Sequence, residues 1–149
     1  MKKSILTLIA FVLCVSSISF AADAGRLAHV YFYREHAYKG SALKPSVFCD
    51  DTQLARMENG RYFSINVPAG EHTFYANGPK DRQSGENIDL ESGKSYYLRL
   101  SLDWGLWKGH GRLTQIAPEE AQKAIHKLKP MEREKIMEDT YPIYRPSAQ

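Results

Sequence analysis

From Leu27 onward the apolar residues recur with a period of two, not 3.6, which predicts strands whose successive side chains point to opposite faces. Residues 61–67 (RYFSINV) alternate cleanly, with Phe63, Ile65 and Val67 on one side and Tyr62, Ser64 and Asn66 on the other. Residues 95–102 (SYYLRLSL) repeat the scheme, with Tyr96, Leu98, Leu100 and Leu102 inward and Tyr97, Arg99 and Ser101 outward. In 45–50 (PSVFCD), Val47 and Cys49 share a face. Residues 27–34 (LAHVYFYR) are apolar at both parities, so this strand is expected to be covered on both faces.

Turn chemistry punctuates these runs at Asp50-Asp51, Asn59-Gly60, Ala69-Gly70, Asn77-Gly78-Pro79 and Ser92-Gly93. Asn-Gly suits positions needing positive φ, so Asn59-Gly60 is expected to make a hairpin turn before 61–67. Pro68 cannot donate to a ladder and should close that strand. Short strands between regular turn signals predict a mainly β fold: an antiparallel β-sandwich, immunoglobulin- or prealbumin-like, of about seven strands with a C-terminal α-helix. The helix is expected in 117–129 (APEEAQKAIHKLK). Pro118 suits its first position, Glu119 and Glu120 complement the positive end of its dipole, and Pro130 stops it. Ala121, Ala124, Ile125 and Leu128 fall on one face and should pack on the sandwich. Residues 131–139 suggest a second short, mostly solvated helix.

The first two dozen residues have the layout of a bacterial secretory signal peptide. Lys2 and Lys3 form a positive start, residues 5–15 (ILTLIAFVLCV) an apolar run, and Ser19 and Ala21 the small residues before a cut between Ala21 and Ala22. The run is shorter than the ~20 apolar residues that span a bilayer, so no transmembrane helix is expected in the mature chain. A lipid anchor at Cys14 is disfavoured, because acylation wants a small residue just before the cysteine and Leu13 stands there. The expected organisation is a signal peptide over 1–21, a sandwich domain with its terminal helix over 26–129, and a short helix and tail over 130–149. The expected location is the periplasm or cell envelope of a bacterium.

Charge excludes one class of partner. The 149-residue chain carries 20 basic and 17 acidic side chains; without Lys2 and Lys3 the net charge is only +1, with signs alternating along the sequence. That is not the clustered basic face of a nucleic-acid binder. Cys49 is the one cysteine left in a mature chain, and its parity with Val47 places it in the core, where thiols are inert. The histidines, at 29, 36, 72, 110 and 126, include no pair at i, i+4 or His-x-His spacing. With no ligand spacing, no nucleophile elbow and no phosphate loop, neither a metal, a cofactor nor a catalytic residue is expected.

The most unusual segment is 104–112 (WGLWKGHGR), read as a loop after a strong strand. Trp104 and Trp107 could stack on sugars or cations, Lys108, His110 and Arg112 could hold anionic groups, and three glycines would admit a ligand close to the backbone. The competing reading makes Trp107 a cap on the core and the glycines a bulge. Tyr31, Tyr33, Tyr62 and Tyr97 lie opposite the core and are expected to be covered by the C-terminal helix and tail.

Several of these stretches occur in a familiar order: Val30-Tyr31-Phe32-Tyr33-Arg34, residues 40–48 (GSALKPSVF), Asn59-Gly60-Arg61-Tyr62-Phe63, Pro68-Ala69-Gly70-Glu71-His72-Thr73, residues 93–99 (GKSYYLR) and residues 107–113 (WKGHGRL). Together they resemble the bacterial exported proteins grouped as domain of unknown function 2846, over roughly residues 26–129. The Pro-Ala-Gly-Glu-His segment is also similar to surface sandwich modules of the PEGA kind, where it makes a tight hairpin. The resemblance implies export and a small β-sandwich, and it carries over no catalytic residues. The leading expectation is an exported, non-enzymatic module that binds another envelope component, protein or glycan. The rivals are a cryptic envelope hydrolase and a purely structural accessory subunit.

Overall fold

The computed structural model describes residues 26–104 and 109–137. Their strands are β1 (Leu27–Arg34), β2 (Ser46–Cys49), β3 (Thr52–Arg56), β4 (Arg61–Pro68), β5 (Gly70–Ala76), β6 (Glu86–Leu90), β7 (Ser95–Trp104), β8 (Gly109–Gln115) and the two-residue β9 (Lys129–Pro130), with one helix, α1 (Pro118–Ile125). They form two sheets, one in the order β8-β7-β1-β4-β9 and the other β3-β2-β5-β6. This is the expected β-sandwich with a C-terminal helix. Two details differ from expectation. The strands number nine among the described residues, and the larger sheet is mixed, because β7 and β9 run parallel to β1 and β4 respectively.

The core lies between the sheets where the alternation put it. Val30 and Phe32 of β1, Phe63 and Ile65 of β4, and Leu98 and Leu100 of β7 meet Val47, Cys49 and Phe74 from the other sheet. Phe32 stacks on Phe63 with ring centroids 4.8 Å apart and meets Phe74 across the sandwich at 5.7 Å, offset geometries that aromatic rings favour. The outer face of β1 is also buried. Tyr33 and Tyr97 lie under α1 with Ala121, flanked by Tyr31, Tyr62, Ala124, Ile125 and Leu128. The tyrosine stripe is thus a second, smaller core, as the helix periodicity implied. Gln122 Nε2 donates to the Tyr97 hydroxyl at 3.0 Å, and Tyr31 stacks on Tyr97 at 4.9 Å.

Turn chemistry predicted chain reversals correctly but not their partners. Asn59-Gly60 is a tight turn with Gly60 at φ 67°, yet β3 and β4 belong to different sheets, so it is a corner and not a hairpin. Pro68-Ala69-Gly70 is likewise a corner: a single residue, Ala69, separates β4 of one sheet from β5 of the other. The physical reason is that a positive φ fixes the local bend, whereas the next strand pairs with whichever edge buries its apolar face. Asp50-Asp51 does close a hairpin, between β2 and β3, with Asp50 itself at φ 52°.

The C-terminal segment also departs from expectation. Instead of running to residue 129, α1 ends at Ile125, and the chain straightens so that Lys129–Pro130 pair beside β4, where the Met131 amide donates to the Tyr62 carbonyl at 2.8 Å. A 3-10 turn at Arg133–Lys135 stands in place of the expected second helix. Ile136 then bridges to Ala55 of β3 and is buried with Met131 in the main core. The segment therefore straps the two sheets together along one seam. Glu58 latches it, accepting from Lys44 at 2.8 Å and Lys135 at 3.2 Å.

At the far end of β1 the buried Arg34 donates to the carbonyls of Leu43 at 2.5 Å and Gly40 at 2.8 Å, which ties down the β1–β2 connection; burial holds its guanidinium below its ordinary pKa.

Two outcomes are expected. Among the described residues the buried Tyr33 hydroxyl has no hydrogen-bond partner, and burial raises its pKa against the opposing field of Arg99. An unmet buried hydroxyl costs about 1–3 kcal/mol, so Tyr33→Phe should leave stability unchanged or raise it in urea titrations; a loss above about 1 kcal/mol would contradict the packing described. The Glu58 carboxylate is held below its ordinary pKa by its bonds to Lys44 and then Lys135. A depressed carboxylate stabilises fully above the unfolded value, about 4.3 for Glu, and loses that contribution as pH falls through the folded value. Glu58→Gln should therefore flatten the acid limb of the stability profile, and molar salt should shrink the difference.

Candidate functional site

Across the molecule from the strap, β8 is the free edge of the larger sheet and lies against β5 and β6. Here the segment singled out by its composition takes shape. Residues 109–112 are not loop but the start of β8, paired with β7 in the register Asp103↔His110 and Leu102↔Gly111. Trp104 is the last residue of β7, opposite Gly109. Trp107 and Lys108 lie outside the described residues, as do Ala21, Ala22 and Cys14.

At Gly111 the two sheets approach closely. A Cβ there would stand 3.0 Å from both Asn77 Oδ1 and Pro45 Cβ and 3.1 Å from Ala76 Cβ, tighter than ordinary contact. The missing side chain lets Asn77 bond the strand like a ladder partner: its Nδ2 donates to the Gly111 carbonyl at 2.9 Å and its Oδ1 accepts from the Gly111 amide at 2.8 Å. Asn77 sits at φ 75°, a left-handed conformation that asparagine tolerates better than most residues.

Beside this clamp opens a groove of about 450 Å³. Its lining includes Asn77, Asp81 and Ser84 from the β5–β6 connection and Asp103, His110 and Arg112 from the β7–β8 hairpin. Arg112 Nε lies 2.7 Å from Asp103 Oδ2 across the hairpin, with both side chains more than half exposed, so the pair is screened by water and free to rearrange. Of the five residues chosen from sequence, the structure brings His110 and Arg112 to this groove. Sequence reasoning missed Asn77, Asp81 and Ser84, although Asn77-Gly78-Pro79 stood out as a turn.

A second constellation sits in the smaller sheet. Cys49 at the end of β2, Asp50 in the β2–β3 turn and His72 in β5 converge, with His72 Nδ1 2.8 Å from Asp50 Oδ2 and Cys49 Sγ 3.8 Å from each of these atoms. His72 Nε2 donates to the Pro68 carbonyl at 2.9 Å, and Asp50 Oδ1 accepts from the Thr73 amide at 3.0 Å. Burial alone would raise the Asp50 pKa, but the bonds from Thr73 and His72 outweigh it and the carboxylate is held below its ordinary value. Cys49 is wholly buried, as its parity predicted. No sequence spacing announces this cluster, because its members lie up to 23 residues apart and meet only through strand pairing.

Replacing Asn77 with Gly keeps the backbone conformation and removes both bonds to Gly111. The loss should be about 1–3 kcal/mol of stability, with faster hydrogen exchange at the Gly111 amide. Unchanged exchange there would mean that Asn77 is not the clamp.

A family model described as "Protein of unknown function (DUF2846)" matches residues 24–110. A protein of Haemophilus influenzae named "Uncharacterized protein" is 34% identical over 99 residues, covering 66% of this chain and 58% of the relative. The chain thus spans little more than half the length of that relative. No solved structure matches the chain.

Proposed function

The chain belongs to the DUF2846 family of proteins of unknown function, and from its groove we propose that it is an exported, non-enzymatic β-sandwich module that binds a glycan of the cell envelope. The observation that carries the reading is the groove between β8 and the β5–β6 connection, where carboxylates, an amide, a hydroxyl, an imidazole and a guanidinium line one open cleft. Sugars present dense hydroxyl groups that such a mixed set of donors and acceptors can satisfy. A protein partner is supported less well. The exposed large apolar residues among those described are Tyr38, Leu43 and Met137, none of which lines the groove.

Binding is favoured over turnover by how the groove residues are engaged. Among the described groove residues Arg112 is paired with Asp103, and the Ser84 hydroxyl donates to the Asp81 carbonyl at 2.9 Å, so that hydroxyl is not held against a base. Export rests on the layout of Lys2, Lys3 and residues 5–15.

Cosedimentation of the purified protein with cell-wall glycan is expected to show saturable binding. Asp81→Ala and Arg112→Ala should each weaken it about tenfold, the effect of about 1.4 kcal/mol, while leaving the fold intact. Absence of wild-type binding, together with a discrete protein captured by a photoreactive residue at position 110 in cells, would replace the glycan by a protein partner. Binding that is indifferent to both substitutions would move the site elsewhere.

A further inference from the structure

We propose that Cys49, Asp50 and His72 form a binding site for a divalent transition metal, with zinc the ion their chemistry fits best. The argument begins with the histidine. The Pro68 carbonyl can only accept, so His72 Nε2 carries a hydrogen and donates to it. In the protonated ring Nδ1 donates to Asp50 Oδ2 at 2.8 Å, whereas in the neutral ring it presents a lone pair there and to Cys49 Sγ at 3.8 Å. A lone pair facing a carboxylate oxygen at that distance calls for a cation between them. The candidates are a proton and a metal ion.

Three features favour the metal. The donor set of thiol, imidazole and carboxylate is the borderline-soft combination that zinc takes. The distances fit as well: a tetrahedral zinc with bonds of about 2.0–2.3 Å has donor atoms about 3.3–3.6 Å apart, against 2.8, 3.8 and 3.8 Å here. Shifts of roughly half an ångström or less would seat the ion. Finally, both polar ligands are already held from behind, His72 by the Pro68 carbonyl and Asp50 by the Thr73 amide, which is how metal ligands are usually oriented.

Charge balances on binding. The Cys49 thiol releases its proton to solvent, and thiolate, carboxylate and divalent cation then sum to zero in a partly buried place. Cys49 is fully buried and forms the floor, while the His72 and Asp50 side chains are 14% and 34% exposed. These two open onto a cleft of about 560 Å³ whose lining also includes Arg82, Asn87 and Asp89. Three protein donors with a fourth position facing a cleft is the arrangement of an exchangeable or ligand-accepting site, not of a closed structural one. The inference is independent of the groove beside β8.

The test uses the purified protein, stripped with a chelator and titrated with zinc or cobalt salts alone. One equivalent of zinc should bind and raise the melting temperature. Cobalt should give the intense visible bands of tetrahedral coordination and a near-ultraviolet thiolate-to-cobalt charge-transfer band. Cys14→Ser, made in the uncleaved chain, and His126→Ala should keep these signals. Cys49→Ser should abolish the charge-transfer band, and His72→Gln should weaken zinc binding by at least about tenfold. If Cys49→Ser fails to fold, the charge-transfer band in Cys14→Ser protein by itself establishes Cys49 as a ligand. No uptake at one equivalent, or uptake indifferent to Cys49 and His72 in folded variants, would leave the pair bridged by a proton only and overturn the proposal.

Discussion

Everything in this molecule depends on β1 being buried on both faces. Val30 and Phe32 point into the space between the sheets, and Tyr33, one residue on, points the other way under α1. A strand with two apolar faces cannot be satisfied by a sandwich alone, because the outer face of a sandwich sheet normally meets water. The helix is the answer to that constraint, and its Ala121 is small because the tyrosine rings beneath it take the room. The central position of β1, between β4 and β7, follows from the same requirement.

The two seams of the sandwich are treated differently. On one side the chain returns after α1, lays β9 beside β4 and sends Ile136 to β3, so that part of each sheet's edge there is covered. On the other side β8 faces β5 and β6, the Asn77–Gly111 clamp joins the sheets, and the groove opens there. A covered edge resists pairing with other chains, whereas an open seam leaves polar groups available. The division of labour between closure and recognition is thus a matter of which edge the C-terminal segment reaches.

Much of this was legible in the sequence, for identifiable reasons. Strands such as 61–67 and 95–102 declare themselves because alternation is local, and Ala121, Ala124, Ile125 and Leu128 declare α1 for the same reason. Sheet membership was not legible: Asn59-Gly60 and Ala69-Gly70 mark bends but say nothing about which edge the next strand joins. Lys129–Pro130 has no strand propensity and pairs only because β4 offers it a ladder. His110 and Arg112 could be chosen from composition, but Asn77 could not, since its role exists only through contact with Gly111. The Cys49–Asp50–His72 cluster is the extreme case. It depends on the pairing of β2 with β5, in which Cys49 stands opposite Phe74, two residues from His72 on the same face.

The parallel pairing of β1 with β7 has a kinetic consequence. His29 lies opposite Ser95 and Tyr33 opposite Arg99, so during synthesis β1 must wait some sixty residues for one of its two neighbours. Until that neighbour arrives, the Tyr31–Tyr33 stretch has one open ladder edge and an uncovered aromatic face. Pairings of such sequence separation form slowly and late. The sandwich therefore gains little by starting to close before β7 has been made, and until then the open edge of β1 is a place where a second chain could pair.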